Sequence, residues 1–206
     1  MADRIGIMGG TFDPIHYGHL FAAQEAMTWL GLSKVVFVPS GAPPHKTYPD
    51  MATAKERYEM TLLAVADNKR FEISRVETDR PGMSYTLDTM KAMKELYPAS
   101  ELYFITGVDA AADMACWRAP TEIAALCMIA VVKRPGYDDG KLDDLPDGIK
   151  RSLCVIDAPM LDISATDIRR RAREGRGIGY LMPETVRAYI EKNSLYTSTG
   201  GESIDL

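Results

Sequence analysis

The segment "GGTFDPIHYGH", residues 9–19, sets two glycines ahead of His16 and His19, two of the three histidines in the chain. Histidine titrates nearest neutrality of all side chains, and its protonated ring can offset charge on a transferring phosphate. Gly9 and Gly10 allow close backbone approach at the turn. A helix that begins near Tyr17 or Gly18 aims its free N–H groups and positive dipole end at the same space, which makes an anion site. Taken singly, a Gly-Gly pair is a turn and a histidine is a helix cap. Spaced as His-x-x-His at a helix start behind the glycines, they point to phosphate chemistry.

The third histidine, His45, lies in "PPHK" with Lys46 beside it, a fixed positive charge. For these groups to meet, the chain must bring several loops to one edge. The pattern of apolar runs supplies such an edge. Short strands are expected over 4–8, 34–40, 70–74, 101–107, 127–132 and 153–157, with helices over 18–30, 54–68 and 84–97 between them. Thr121 is expected to cap a short helix, Ser164 a helix running to about Glu174, and Pro183 to open a last helix through Lys192. Residues 136–148 read as an acidic surface loop, and 197–206 as a flexible tail beyond a single domain over 1–196.

Strands alternating with helices predict an α/β fold, a doubly wound and mostly parallel sheet with C-terminal helices. Ligands of such folds bind outside the carboxyl ends of the strands. Four informative segments follow strand ends: 9–19, 43–46, 107–109 and 162–169. "GRGIG" over 175–179 follows a helix, so it reads as a helix terminus, not a dinucleotide turn. The phosphate loop GxxxxGK[ST] does not occur.

With 206 residues, 46% hydrophobic and 26% charged, the chain can bury a sizeable core. Its net charge of -5 argues against general nucleic-acid binding but leaves room for small anionic substrates in a locally basic pocket. Cys116, Cys127 and Cys154 are odd in number and far apart, so they read as free thiols of a reducing compartment. No apolar run reaches the roughly 18 residues of a membrane span, and the first residues lack the pattern of a signal peptide. A cytoplasmic protein with no membrane partner is the expectation, and a homo-oligomer is left open.

"GTFDPIHYGH" resembles the signature of the nucleotidyltransferase superfamily, whose H-x-G-H element falls here on residues 16–19. "PPHK", "SYTLDT", "FITGVD", Trp117, "KRPG", "ISATDIR" and "YLMPETVRAYI" follow in order. Together they resemble bacterial nicotinate-nucleotide adenylyltransferases over about residues 5–196. The resemblance implies a Rossmann-like fold and adenylyl transfer from ATP to nicotinate mononucleotide in NAD biosynthesis, giving deamido-NAD and pyrophosphate, with Mg2+ on the phosphates and no covalent enzyme intermediate. It implies that His16, His19, Lys46 and Arg169 act on the reacting phosphates. Gly9, Gly10, Thr11, Phe12, Gly107, Asp109, Ile163, Ser164 and Thr166 would bind ATP. His45, Tyr85, Thr86 and Trp117 would bind the nicotinate nucleotide, with His45 also near the phosphates, and backbone N–H groups would recognise its carboxylate. Ala165 departs from the family, which often has serine there; the hydroxyls of Ser164 and Thr166 are kept. The rival acceptors are nicotinamide mononucleotide and phosphopantetheine. A non-catalytic nucleotide-binding regulator would keep the glycine turn but lose His16, His19 or Arg169.

Overall fold

The computed structural model describes residues 2–44, 48–133, 140–159 and 161–197. Six strands form one parallel sheet: β1 (Arg4–Gly10), β2 (Lys34–Pro39), β3 (Phe71–Ile73), β4 (Glu101–Gly107), β5 (Met128–Val132) and β6 (Leu153–Ile156). Their order is β3-β2-β1-β4-β5-β6. The chain works outward from β1 to β3, then returns to the other side of β1 with β4, so the topological switch lies between β1 and β4. Register there runs from Arg4↔Glu101 to Ile7↔Phe104. A doubly wound sheet opens its ligand crevice at this switch, outside the carboxyl ends of the strands.

The central strands are largely apolar beyond their first residues because both faces are covered. Alternate residues face opposite layers. Ile5, Ile7, Val36, Val38, Leu102 and Phe104 enter a core with Leu87, Met90 and Met93 of α3 (Thr86–Leu96). Met8, Val35, Phe37, Tyr103 and Ile105 enter the other core, with Ala23, Ala26 and Met27 of α1 (Tyr17–Leu30) and Met60 of α2 (Ala54–Val65). The same layer takes Ile168 of α8 (Ala165–Arg173) and Val186 and Ile190 of α9 (Glu184–Lys192). The C-terminal helices therefore cover the face that α1 and α2 cover. No described helix is long and apolar enough to cross a membrane.

All six strands and the five longer helices fall where the apolar pattern and the capping residues put them, within a few residues. Three local expectations are corrected. Thr121 does not cap its helix: α5 (Pro120–Leu126) starts at Pro120 with Ala119 as cap at φ 50. Proline's fixed φ suits that first turn, and this sets the start one residue earlier. Residues 108–116, placed in no element, form α4 (Val108–Ala112) and a 3-10 turn (Asp113–Cys116) that bury Val108, Ala111 and Met114. The acidic stretch over 136–148 is not all loop: its described part holds α6 (Gly140–Asp143), and α7 (Asp147–Lys150) starts at its end. Leu142, Leu145 and Ile149 are buried there, because apolar residues at steps of three and four anchor one face while the acids stay in water. The tail expected over 197–206 lies, from 198 on, outside the described residues.

Candidate active site

His16 is the N-cap of α1: its carbonyl accepts the His19 backbone N–H at 3.0 Å, and its own N–H donates to His19 Nδ1 at 3.3 Å. The two rings stack with centroids 3.8 Å apart and planes 28° from parallel. His16 is buried at 3% exposure, while His19 is half-buried. With Nδ1 accepting, the proton of a neutral His19 ring sits on Nε2. Gly18 makes this packing possible, since a β-carbon there would stand 3.0 Å from the His16 ring and 3.4 Å from the Ile163 carbonyl. The same glycine thus lets the start of α8 close against α1.

Gly9 and Gly10 end β1, and their missing side chains are used first by the protein itself. A β-carbon on Gly9 would lie 3.2 Å from the Phe104 ring, and one on Gly10 would lie 2.7 Å from the Phe12 ring. Phe12, expected beside the nucleotide, has φ 51 and is 2% exposed. Its ring meets His19 edge-on at 5.1 Å, so any contact with a ligand falls to its backbone.

Arg169 reaches back from α8 to the same turn. Its Nη1 donates to the Asp13 carbonyl at 2.6 Å and its Nη2 to Thr166 Oγ1 at 3.4 Å, while the guanidinium lies 4.3 Å over the Tyr48 ring. Ser164 caps α8 as expected, Oγ accepting the Asp167 N–H at 3.2 Å. Its own hydroxyl proton is a separate donor. Gly107 ends β4 with open space where a β-carbon would be, and Asp109 lies in the first turn of α4. His45 and Lys46 lie outside the described residues.

A cavity of about 520 Å³ opens at Gly9, Gly10 and Thr11 and runs to Tyr85, Thr86 and Trp117. Phe104 meets the Trp117 indole edge to face at 5.9 Å. The glycine turn therefore stands between two regions: the aromatic cavity, and the histidine pair with Arg169 and the N-terminus of α8. The structure brings together His16, His19, Phe12, Ile163, Thr166 and Arg169 on one side, and Gly9, Gly10, Thr11, Tyr85, Thr86 and Trp117 on the other.

Several residues that hold this geometry were given no role from the sequence. Arg57 of α2, at 1% exposure, donates from Nη1 to the Thr11 carbonyl at 2.8 Å, from Nη2 to Gly41 at 3.0 Å and from Nε to Ala52 at 3.1 Å. It ties the loops after β1 and β2 to the start of α2. Burial pulls its pKa down, and the nearby Asp13 charge opposes that. The buried Asp13 carboxylate accepts from the Tyr48 hydroxyl, from the Ala52 N–H at 3.2 Å and from the Tyr196 hydroxyl at 2.5 Å. Burial, then the Asp13 contact, push both tyrosines up. Asp13 stands inside the quoted motif and gave a signal that went unused; Arg57 and Tyr196 gave none, because their partners are distant in sequence. Glu77, 6% exposed in the cavity wall, accepts from Thr89 Oγ1 at 2.5 Å. Burial pushes its carboxyl pKa up against the hydrogen bonds of Thr89, Ser84 and Ser40.

Comparison with known proteins gives this geometry a family. Residues 7–171 match the cytidylyltransferase-like family model, and the chain belongs to that nucleotidyltransferase family. Within it, the chain is 48% identical over 198 residues to a "Probable nicotinate-nucleotide adenylyltransferase" of Desulfitobacterium hafniense (strain Y51), covering 94% of this chain and 95% of the relative. It is 47% identical to a relative of the same name from Thermus thermophilus, with 94% and 99% covered. At that similarity over nearly whole lengths, it is a member of the nicotinate-nucleotide adenylyltransferase branch. The fold is also that of the Plasmodium falciparum nicotinic acid mononucleotide adenylyltransferase solved with NaAD, at TM-score 0.76 and 22% identity, with 94% of this chain and 97% of that one covered.

Proposed function

We propose that the chain transfers the adenylyl group of ATP to the 5′-phosphate of nicotinate mononucleotide, giving deamido-NAD and pyrophosphate. The observation that carries this reading is the stacked His16–His19 pair at the start of α1, with Arg169 anchored on the same turn and the aromatic cavity opening at its other end. An acceptor phosphate oxygen attacks the α-phosphorus of ATP. A P–O bond forms to that oxygen, the bond to the bridging oxygen breaks, and the electron pair leaves with pyrophosphate. Such transfer asks the protein for positioning and charge stabilisation.

In this reading His19 Nε2 and His16 meet the phosphate oxygens on which charge develops, beside the N–H groups that open α1. Arg169 and the hydroxyls of Ser164 and Thr166 hold the triphosphate at the N-terminus of α8, and the resemblance gives Lys46 and His45 a share in contacting its phosphates. Gly9, Gly10 and Thr11 border both substrates. Gly107 leaves space for the nucleoside, and Asp109 binds a ribose hydroxyl. Trp117 stacks on the pyridine ring, with Tyr85 and Thr86 lining its pocket. Mg2+ would be carried by the triphosphate oxygens, where it neutralises charge. The cytoplasm is the proposed compartment, supported by the free thiols of Cys116, Cys127 and Cys154.

The test is pyrophosphate release by the purified protein with Mg-ATP and each acceptor in turn. Release with nicotinate mononucleotide is expected. Release with phosphopantetheine alone would overturn the assignment of the acceptor.

A further inference from the structure

Nicotinate and nicotinamide mononucleotides differ in one group, a carboxylate against a neutral amide. Selection between them needs a group in the cavity that responds to that charge. Among the described residues of the lining, the acidic side chain is Glu77 and the cation is Arg118. Glu77 faces the hydroxyls of Thr89, Ser84 and Ser40, so its lone pairs are already engaged.

Arg118 is placed differently. It follows Trp117 directly, and its guanidinium rests 4.9 Å over the ring of Tyr85, which lines the same cavity. Its ionic partner is Asp88, at 3.5 Å, with the arginine side chain 57% exposed and the aspartate 36%. A pair that long and that exposed holds its partners weakly. Tyr85 is also the N-cap of α3, so the first N–H groups of that helix lie beside the guanidinium and favour negative charge.

We propose that Arg118 is the specificity-determining residue for the charge of the acceptor: its guanidinium, resting on Tyr85, pairs with the nicotinate carboxylate. This rests on the function proposed above and goes beyond it, since recognition by backbone N–H groups alone gives no role to this side chain. The guanidinium offers two parallel donors to a carboxylate. An amide in the same place meets a cation with no charge to pair with, and its own NH2 donors face guanidinium donors.

The experiment compares the full-length wild type with Arg118→Gln and Arg118→Lys. Steady-state rates are measured at saturating Mg-ATP with nicotinate and with nicotinamide mononucleotide, and circular dichroism checks the fold. Arg118→Gln is expected to raise KM for the acid about tenfold, the worth of one charge-assisted contact, with kcat little changed and the amide constants within about twofold. Arg118→Lys keeps the charge and is expected to recover part of the loss. An equal rise in KM for both acceptors would place the guanidinium on the shared phosphate and overturn the proposal. So would an unchanged acid-to-amide ratio. A wild type that uses neither pyridine nucleotide overturns the parent reading as well, and that is seen before any variant is compared.

Discussion

His19 takes the His16 backbone N–H on its Nδ1, and the two rings stack at 3.8 Å. His19→Ala is expected to lower kcat by about two orders of magnitude or more, as removal of a donor to developing charge does. Circular dichroism should show the fold kept, because His19 is only half-buried. Turnover within threefold of wild type would exclude the assigned role. Gly18→Ala tests the packing of the pair without removing a polar group. The added methyl must push the His16 ring or the Ile163 carbonyl, so activity should fall while thermal unfolding shifts by only a few degrees. Glu77 gives a pH expectation. Its pKa is raised by burial, so between the ordinary glutamate value and the raised one the folded state holds more proton than the unfolded state. Stability then falls as pH rises through that window. Glu77→Gln should flatten this slope, measured as urea midpoints from pH 4 to 8.

At the scale of elements, the site is a set of loop-to-helix junctions, and Arg57 holds three of them. Its three donors serve carbonyls after β1, after β2 and at the start of α2. Arg57→Met keeps the length but leaves those carbonyls unsatisfied, and a loss of about 3 kcal/mol in denaturant unfolding is expected. How far the sequence showed these elements follows from what each depends on. The strands were legible because a buried parallel strand is an unbroken apolar run. The α1 and α8 starts were legible because capping residues and glycines are local. The short helices α4, α6 and α7 were not, since a four- or five-residue turn has too few positions to show a period. The histidine pair, Arg169 and Trp117 could be picked out by type and spacing. Arg57, an arginine among other charges of an amphipathic helix, looks from sequence like a solvated residue.

For the molecule as a whole, the two regions of the candidate site are built by different parts of the chain. The aromatic cavity takes residues from the β1 end through Ile123. The phosphate region needs α8, and Arg169 meets Asp13 across 156 positions. Tyr196 joins the same turn from 183 positions away. Tyr196→Phe removes one hydrogen bond to a buried carboxylate and should destabilise the protein by about 2 kcal/mol, read from urea unfolding.

The arrangement around Asp13 also sets an order of events. A carboxylate that far from water needs its hydroxyl donors, and one of them is supplied almost two hundred residues after it is synthesised. A ribosome that has finished the sheet has not yet delivered the group that quiets this charge. The turn is made first and one of its hydroxyl donors late, and a chain interrupted before its final tyrosine would carry the signature without one of the contacts that hold it in place.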